Sequence, residues 1–143
     1  MSVTVTHVED QAAFKALLAA NKFVIADFYA DWCGPCKAIA PLYAKLAGEH
    51  GVEGGLAFAK VNVDTVPAVA QEYQVSAMPS FLFFADGNRA SINIAPRKAG
   101  ATAESEEADP ASKKVADLIR GADPRALTAA ATRLGEAARL SAE

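Results

Sequence analysis

Residues 23–29 read FVIADFY, an apolar run interrupted only by Asp27. The run is rich in β-branched and aromatic residues and is too short for a membrane-spanning helix. It lacks the regular polar alternation of a strand with one solvated face, so we predict a central strand that is buried on both faces. Such a strand needs a covering layer on each side, and this favours a sheet that lies between helices.

The rest of the chain supplies further strands and the helices to cover them. Residues 56–63 and 80–84 predict two more strands, and Val3, Val5 and Val8 predict a short first strand. The β-α-β-α-β order of the first part predicts an α/β fold with a mixed sheet and helices on both sides. Four helices are predicted. The first covers residues 11–21 after a capping Asp10, and the second runs from the cysteine stretch to about Glu49. The third is a short helix capped by Asp64 or Thr65 that ends at Tyr73, and the fourth follows Asp123-Pro124.

One segment does not fit a packed core. Residues 95–112 contain alanine, acidic residues and two prolines, but no large apolar side chain. Such a composition buries too little surface to offset the entropy lost on ordering. We therefore predict a flexible surface loop, inserted before a last strand at residues 113–120, in a single domain that spans residues 1–143.

Charge and hydropathy limit the partners and the compartment. The formal net charge is -3, which provides no positive field to hold nucleic acid or anionic lipid. No apolar run approaches the ~20 residues that cross a membrane, and the first residues lack the basic start and apolar stretch of a signal peptide. These features predict a cytoplasmic protein, in a compartment where structural disulfides are rare.

The only two cysteines, Cys33 and Cys36, lie in the stretch ADWCGPCKAIAP. As a structural bond the pair would close a loop of about four residues and would stabilise the chain little. As half of a zinc site it would need further ligands, for which the chain offers only His7 and His50, neither in a spaced motif. A redox-active pair is the favoured interpretation.

The Cys-x-x-Cys spacing at a predicted helix start suits thiol–disulfide exchange. Cys33 would lie at the helix N-terminus, where unpaired N–H groups and the helix dipole stabilise a thiolate. Cys36, one turn further along, could attack a mixed disulfide on Cys33. Gly34 and Pro35 would allow and stiffen the tight turn between them. Trp32 would place a broad flat surface beside the nucleophile.

Three residues elsewhere could belong to the same site. A buried Asp27 would have a raised pKa and could accept a proton from a thiol, although a carboxylate that points outward at a strand end is equally compatible with its position. Lys60, within LAFAKVNV, could pair with Asp27 or lie solvated at the sheet surface. Pro79 abuts a strand, where proline is disfavoured, and is a candidate for a cis peptide bond.

Together these stretches resemble the thioredoxin family. ADFYADWCGPCK is similar to the family's active-site strand and motif, AKVNVD to its third strand, AMPSF to its cis-proline loop, and RGAD to the turn before its last helix. The motif WCGPC is typical of the members that reduce disulfides. The resemblance covers roughly residues 3–89 and 113–140. It implies a thioredoxin fold with a central mixed five-stranded sheet, four flanking helices and the inserted loop.

The resemblance also implies a role for each candidate residue. Cys33 would be the attacking thiolate and Cys36 the resolving thiol. Asp27 would accept the proton of Cys36, with Lys60 as its charged neighbour. The residues implied to line the substrate groove are Trp32, Gly34, Pro35, Met78, Pro79, Gly121 and Ala122.

The implied activity is the reduction of disulfides in other proteins. A thioredoxin reductase would return the cysteine pair to the dithiol with electrons from NADPH, so that this chain itself would bind no cofactor and no metal. The resemblance also implies a monomer. Two alternatives stay open at this stage: a disulfide isomerase or oxidase of the same fold, and a non-catalytic module that uses the fold for docking.

Overall fold

The computed structural model describes residues 3–94 and 115–141. The helices are α1 (Gln11–Ala20), α2 (Gly34–His50), α3 (Pro67–Glu72) and α4 (Pro124–Ser141). The longer strands are β2 (Phe23–Tyr29), β3 (Leu56–Asn62) and β4 (Ser80–Ala85). The short strands are β1 (Thr6–His7), β5 (Asn88–Arg89), β6 (Ile92–Asn93), β7 (Val115–Ala116) and β8 (Leu118–Arg120).

The main sheet is mixed, as predicted. Strands β1, β3 and β2 are parallel and adjacent in that order, and β4 pairs with β2 in the antiparallel direction. The outer edge of β4 is shared, since β8 pairs with residues 80–82 and β5 with residues 84–85. The sheet thus has six strands in the described part of the chain, where five were expected, because one edge position is divided between two segments.

Helices cover both faces of this sheet. On one face, Ile25 of β2 and Phe58 of β3 pack in one cluster with Tyr43 of α2 and Leu127 of α4. On the other face, the neighbouring positions of the same strands pack with α1 and α3, centred on Phe14. The side chains of β2 between its two end residues are all buried, so the prediction of a strand with two covered faces is confirmed.

Local signals set the ends of most helices. Asp10 caps α1 by accepting a hydrogen bond from the Ala13 N–H at 2.7 Å, as predicted. Asp123 does the same for α4 through the Ala126 N–H at 3.1 Å. The cap predicted for α3 at Asp64 or Thr65 was wrong by one or two residues, because Val66 is the N-cap and the helix begins at Pro67, whose missing N–H is no loss in a first turn.

The region before the last helix differs from the predicted single strand. The predicted loop at residues 95–112 lies outside the described residues. After it, the chain forms two short strands separated by Asp117. Strand β7 pairs with β6 and β8 pairs with β4, so the change of pairing partner divides the strand expected at 113–120.

No helix in residues 3–94 and 115–141 has both the length and the apolar character needed to cross a membrane.

Candidate active site

The two cysteines lie where β2 gives way to α2, and they form a disulfide bond. Their Cα atoms are 5.3 Å apart, which is within the usual range for disulfide-bonded cysteines. Cys33 is the N-cap residue of α2, and its Sγ accepts a hydrogen bond from the Cys36 N–H at 3.2 Å. The first turn of the helix therefore directs an N–H group at the sulfur that was predicted to attack.

The disulfide lies at the edge of a small apolar cluster. The relative exposure of Cys33 is 5% and that of Cys36 is 4%, and both pack with Ala30, Tyr29 and Met78. Both cysteines are thus largely shielded from bulk water.

Trp32 stands beside the pair and is 69% exposed. Its indole Nε1–H donates a hydrogen bond to Oδ2 of Asp64 at 3.0 Å. Gly34 and Pro35, which separate the cysteines, are also exposed. This side of the site is an open surface with a large flat side chain, which suits contact with another protein.

A second loop completes the other side of the site. The peptide bond between Met78 and Pro79 is cis, as the resemblance implied. The carbonyl oxygen of Met78 lies 3.6 Å from Sγ of Cys33; because a disulfide sulfur carries no hydrogen, this approach is a contact and not a hydrogen bond. Gly121, with φ of +89°, donates its N–H to the Pro79 carbonyl oxygen at 2.8 Å, and this bond brings Gly121 and the exposed Ala122 next to the loop.

Asp27 is buried, with a relative exposure of 1%. Side chains alternate along a strand, so Asp27 shares a face with Ile25, which packs against Tyr43 of the cysteine-bearing helix α2. Neither carboxylate oxygen makes a hydrogen bond within the described part of the chain. Burial raises the pKa of the Asp27 carboxyl from 3.8 to about 7, although the positive charge of Lys60 acts to lower it.

Lys60 is the register partner of Asp27 across the β2–β3 pair. Its side chain is half-buried, and Nζ lies 4.3 Å from the centre of the Tyr29 ring, close enough for a cation–π interaction. The ammonium group is thus directed toward the carboxyl end of the two strands, which is the end that carries the disulfide.

The predicted residues therefore lie on the central strands β2 and β3 or around the carboxyl end of β2, but a polar group beside them was not predicted. The Asn62 side chain donates to Asp31 Oδ2 at 3.3 Å and accepts from the Asp64 N–H at 2.9 Å. The contact with Asp31 joins residues far apart in the sequence, whereas the contact with Asp64 spans only two residues. The only local signal is the presence of polar residues at and just after the end of β3, namely Asn62, Asp64 and Thr65. Among the described residues, His, Cys, Asp and Glu form no group of three or more that could hold a metal ion.

The sequence is similar to known proteins over almost its whole length. The thioredoxin family model matches residues 4–105. A thioredoxin of Neurospora crassa is 45% identical over 139 residues, which cover 97% of this chain and 93% of that protein. A thioredoxin-like protein of Fusarium culmorum is 42% identical over 131 residues, or 92% of this chain and 91% of that protein.

Solved structures show the same fold. The crystal structure of a thioredoxin from Malassezia sympodialis aligns with a TM-score of 0.68 and 31% sequence identity, over 94% of this chain and 95% of that chain. The oxidised thioredoxin of Plasmodium falciparum, solved in solution, aligns with a TM-score of 0.67 and 27% identity, over 92% of this chain and 99% of that chain.

Proposed function

Since this chain belongs to the thioredoxin family, whose chemistry is dithiol–disulfide exchange at a cysteine pair, we propose that it reduces disulfide bonds in other proteins. One observation carries the proposal: the Cys33–Cys36 disulfide caps a helix whose first turn directs an N–H at Cys33 Sγ. A sulfur in that position is stabilised as a thiolate once the bond is reduced, so Cys33 is the attacking residue.

The exchange takes place in two steps. The Cys33 thiolate attacks one sulfur of a substrate disulfide, that bond breaks, and the other substrate sulfur leaves and takes up a proton. Cys36 then loses its proton and attacks the Cys33 sulfur, so the mixed disulfide breaks and the Cys33–Cys36 bond forms again. The second substrate sulfur leaves in this step and takes up a proton. The substrate has then gained two electrons and two protons.

Asp27 is the proton acceptor for Cys36 in this proposal. A carboxyl group with a pKa of about 7 changes its protonation near neutral pH, which matches it to proton transfer from a thiol. Lys60 lies opposite Asp27 in the sheet and favours the charged carboxylate. Both are buried or half-buried, so their charges interact more strongly than they would in water.

The open surface beside the sulfurs is the substrate groove in this proposal. It is made by the motif on one side and by the cis-proline loop with the turn before α4 on the other. Its residues are Trp32, Gly34, Pro35, Met78, Pro79, Gly121 and Ala122.

The wider context is part of the same proposal. Thioredoxins are recycled by a reductase, and here a thioredoxin reductase would transfer electrons from NADPH to the disulfide, with no cofactor held by this chain. We place the protein in the cytoplasm, where thiols are kept reduced, and assign it a monomeric state. An isomerase of the same fold would differ in redox poise, so a Cys33–Cys36 potential near that of protein disulfide isomerase would contradict the reductase assignment.

Trapping of the mixed disulfide tests the mechanism. Cys36→Ser removes the resolving thiol, so we expect this variant to form covalent complexes with disulfide-bonded insulin. These complexes should survive denaturant and be cleaved by dithiothreitol. Cys33→Ser is the matched control and should trap nothing, because the remaining thiol is not the nucleophile. Complexes formed equally by Cys33→Ser, or full insulin reduction by that variant, would contradict the assignment of Cys33.

A further inference from the structure

Asn62 lies at the end of β3, directly opposite Tyr29 at the end of β2. After this pair the two strands separate: the segment that follows β2 leads to the disulfide, and the segment that follows β3 leads to α3. The side chain of Asn62 reaches into both loops, because Nδ2 donates to Oδ2 of Asp31 at 3.3 Å and Oδ1 accepts from the Asp64 N–H at 2.9 Å. One amide thus connects the loop that follows each of the two central strands.

These bonds form a closed ring with Trp32. Asp64, whose N–H is bound by Asn62, accepts the indole N–H of Trp32 through Oδ2 at 3.0 Å. Trp32 follows Asp31 in the chain, so the ring runs through Asp31, Asn62, Asp64 and Trp32 and back to Asp31. An indole that is 69% exposed has little packing to fix its orientation, and the ring supplies a directional restraint.

From this ring we infer that Asn62 is a positioning residue, which holds Trp32 in the orientation that receives a protein disulfide. The inference rests on the proposed reduction of protein disulfides and adds a residue that acts through Trp32 and Asp64. An amide suits the position because it provides a donor for Asp31 and an acceptor for the Asp64 N–H. A carboxylate of the same size keeps the acceptor, loses the donor and adds a negative charge next to Asp31.

The test exchanges the amide of Asn62 and the carboxylate of Asp31. Asn62→Asp breaks the bond to Asp31. In the double variant Asn62→Asp with Asp31→Asn, the amide introduced at position 31 donates to the carboxylate introduced at position 62, and the net charge equals that of the wild type. Asp31→Asn alone is the matched control, because the oxygen of the new amide still accepts from Asn62 Nδ2.

We expect kcat/KM for insulin reduction to fall about three- to tenfold in Asn62→Asp, mainly through KM, as the loss of one hydrogen bond predicts. Asp31→Asn should remain close to the wild type, and the double variant should recover most of the loss. Reduction of the small disulfide 5,5′-dithiobis(2-nitrobenzoate) should change little in every variant, because that compound covers little of the indole.

Trp32 is the only tryptophan in the chain, so its indole N–H resonance reports the ring directly. That resonance should shift in Asn62→Asp and return toward its original position in the double variant. The inference is overturned if Asn62→Asp reduces insulin like the wild type, if the double variant shows no recovery, or if the small disulfide loses as much rate as insulin. Failure of the wild type to reduce insulin would instead contradict the proposed function.

Discussion

Asp27, the proposed proton acceptor, illustrates at the scale of one residue how a buried carboxyl group lowers stability. Its carboxyl is buried on the central strand without a hydrogen bond in the described part of the chain, and its pKa is raised from 3.8 to about 7. Between these two values the folded protein keeps a proton that the unfolded chain releases. The free energy of unfolding therefore falls as the pH rises from about 4 to about 7, and then levels off.

Replacing this residue should make the protein more stable at high pH. We expect Asp27→Asn to raise the free energy of unfolding by up to about 4 kcal/mol at pH 9, because a shift of about three pKa units no longer opposes folding. Near pH 4, where the native carboxyl is protonated, the two proteins should have nearly equal stability. Urea denaturation of the oxidised proteins at pH 4, 7 and 9 measures this, and a difference that does not depend on pH would contradict it.

Single residues also show how far the sequence could predict the site. The cysteine pair has a local spacing, and Asp27 interrupts an apolar run, so both could be identified without a structure. Burial of Asp27 could not be decided from its position alone, because a strand end that points outward fits the same pattern. The role proposed for Asn62 depends on the register that sets it opposite Tyr29, and no local sequence pattern determines that register.

At the scale of elements, α2 and α4 pack closely through a glycine. A Cβ atom at Gly135 would lie 2.8 Å from the backbone oxygen of His50, at the end of α2, so only glycine fits without movement of one helix. A Cβ atom at Gly48, on the exposed side of α2, would have no neighbouring atom within 4 Å. The two glycines therefore have opposite consequences when a methyl group is added.

We expect Gly135→Ala to lower the free energy of unfolding by about 1–2 kcal/mol, since the strain of overpacking exceeds the gain in helix propensity. Gly48→Ala should raise it by about 0.5–1 kcal/mol, through propensity alone. Guanidinium denaturation of both variants measures the difference. Stabilisation by Gly135→Ala would show that the helices separate without cost, and would refute the close contact.

Elements with local start and stop signals were predicted well. Helix α1 begins after Asp10 as predicted, and α2 ends within one residue of the predicted Glu49. The last strand was predicted as one continuous strand because residues 113–120 contain no glycine or proline that would indicate an interruption. Its division at Asp117 is set by two different partners, β6 and β4, and such a choice is a tertiary effect.

At the scale of the whole molecule, the short β6–β7 pair joins the ends of the segment whose structure is not described. Asn93 pairs with Val115, so the intervening chain leaves and returns at neighbouring positions. Strand β6 packs beside α4, and Ile92 contacts the core cluster that includes Leu127. The pairing provides a place where the connection could be shortened without altering the main sheet.

Deleting residues 96–111 shortens the connection between the paired strands about fourfold, which should raise the free energy of unfolding by about 1 kcal/mol through a smaller loss of closure entropy. Insulin reduction driven by dithiothreitol should be unchanged, since the deletion removes none of the residues assigned to the site. We also expect unchanged rates with thioredoxin reductase and NADPH. A rate that falls only in the reductase-coupled assay would contradict this and assign the segment to reductase docking, and a loss of stability would show that it packs against the folded protein.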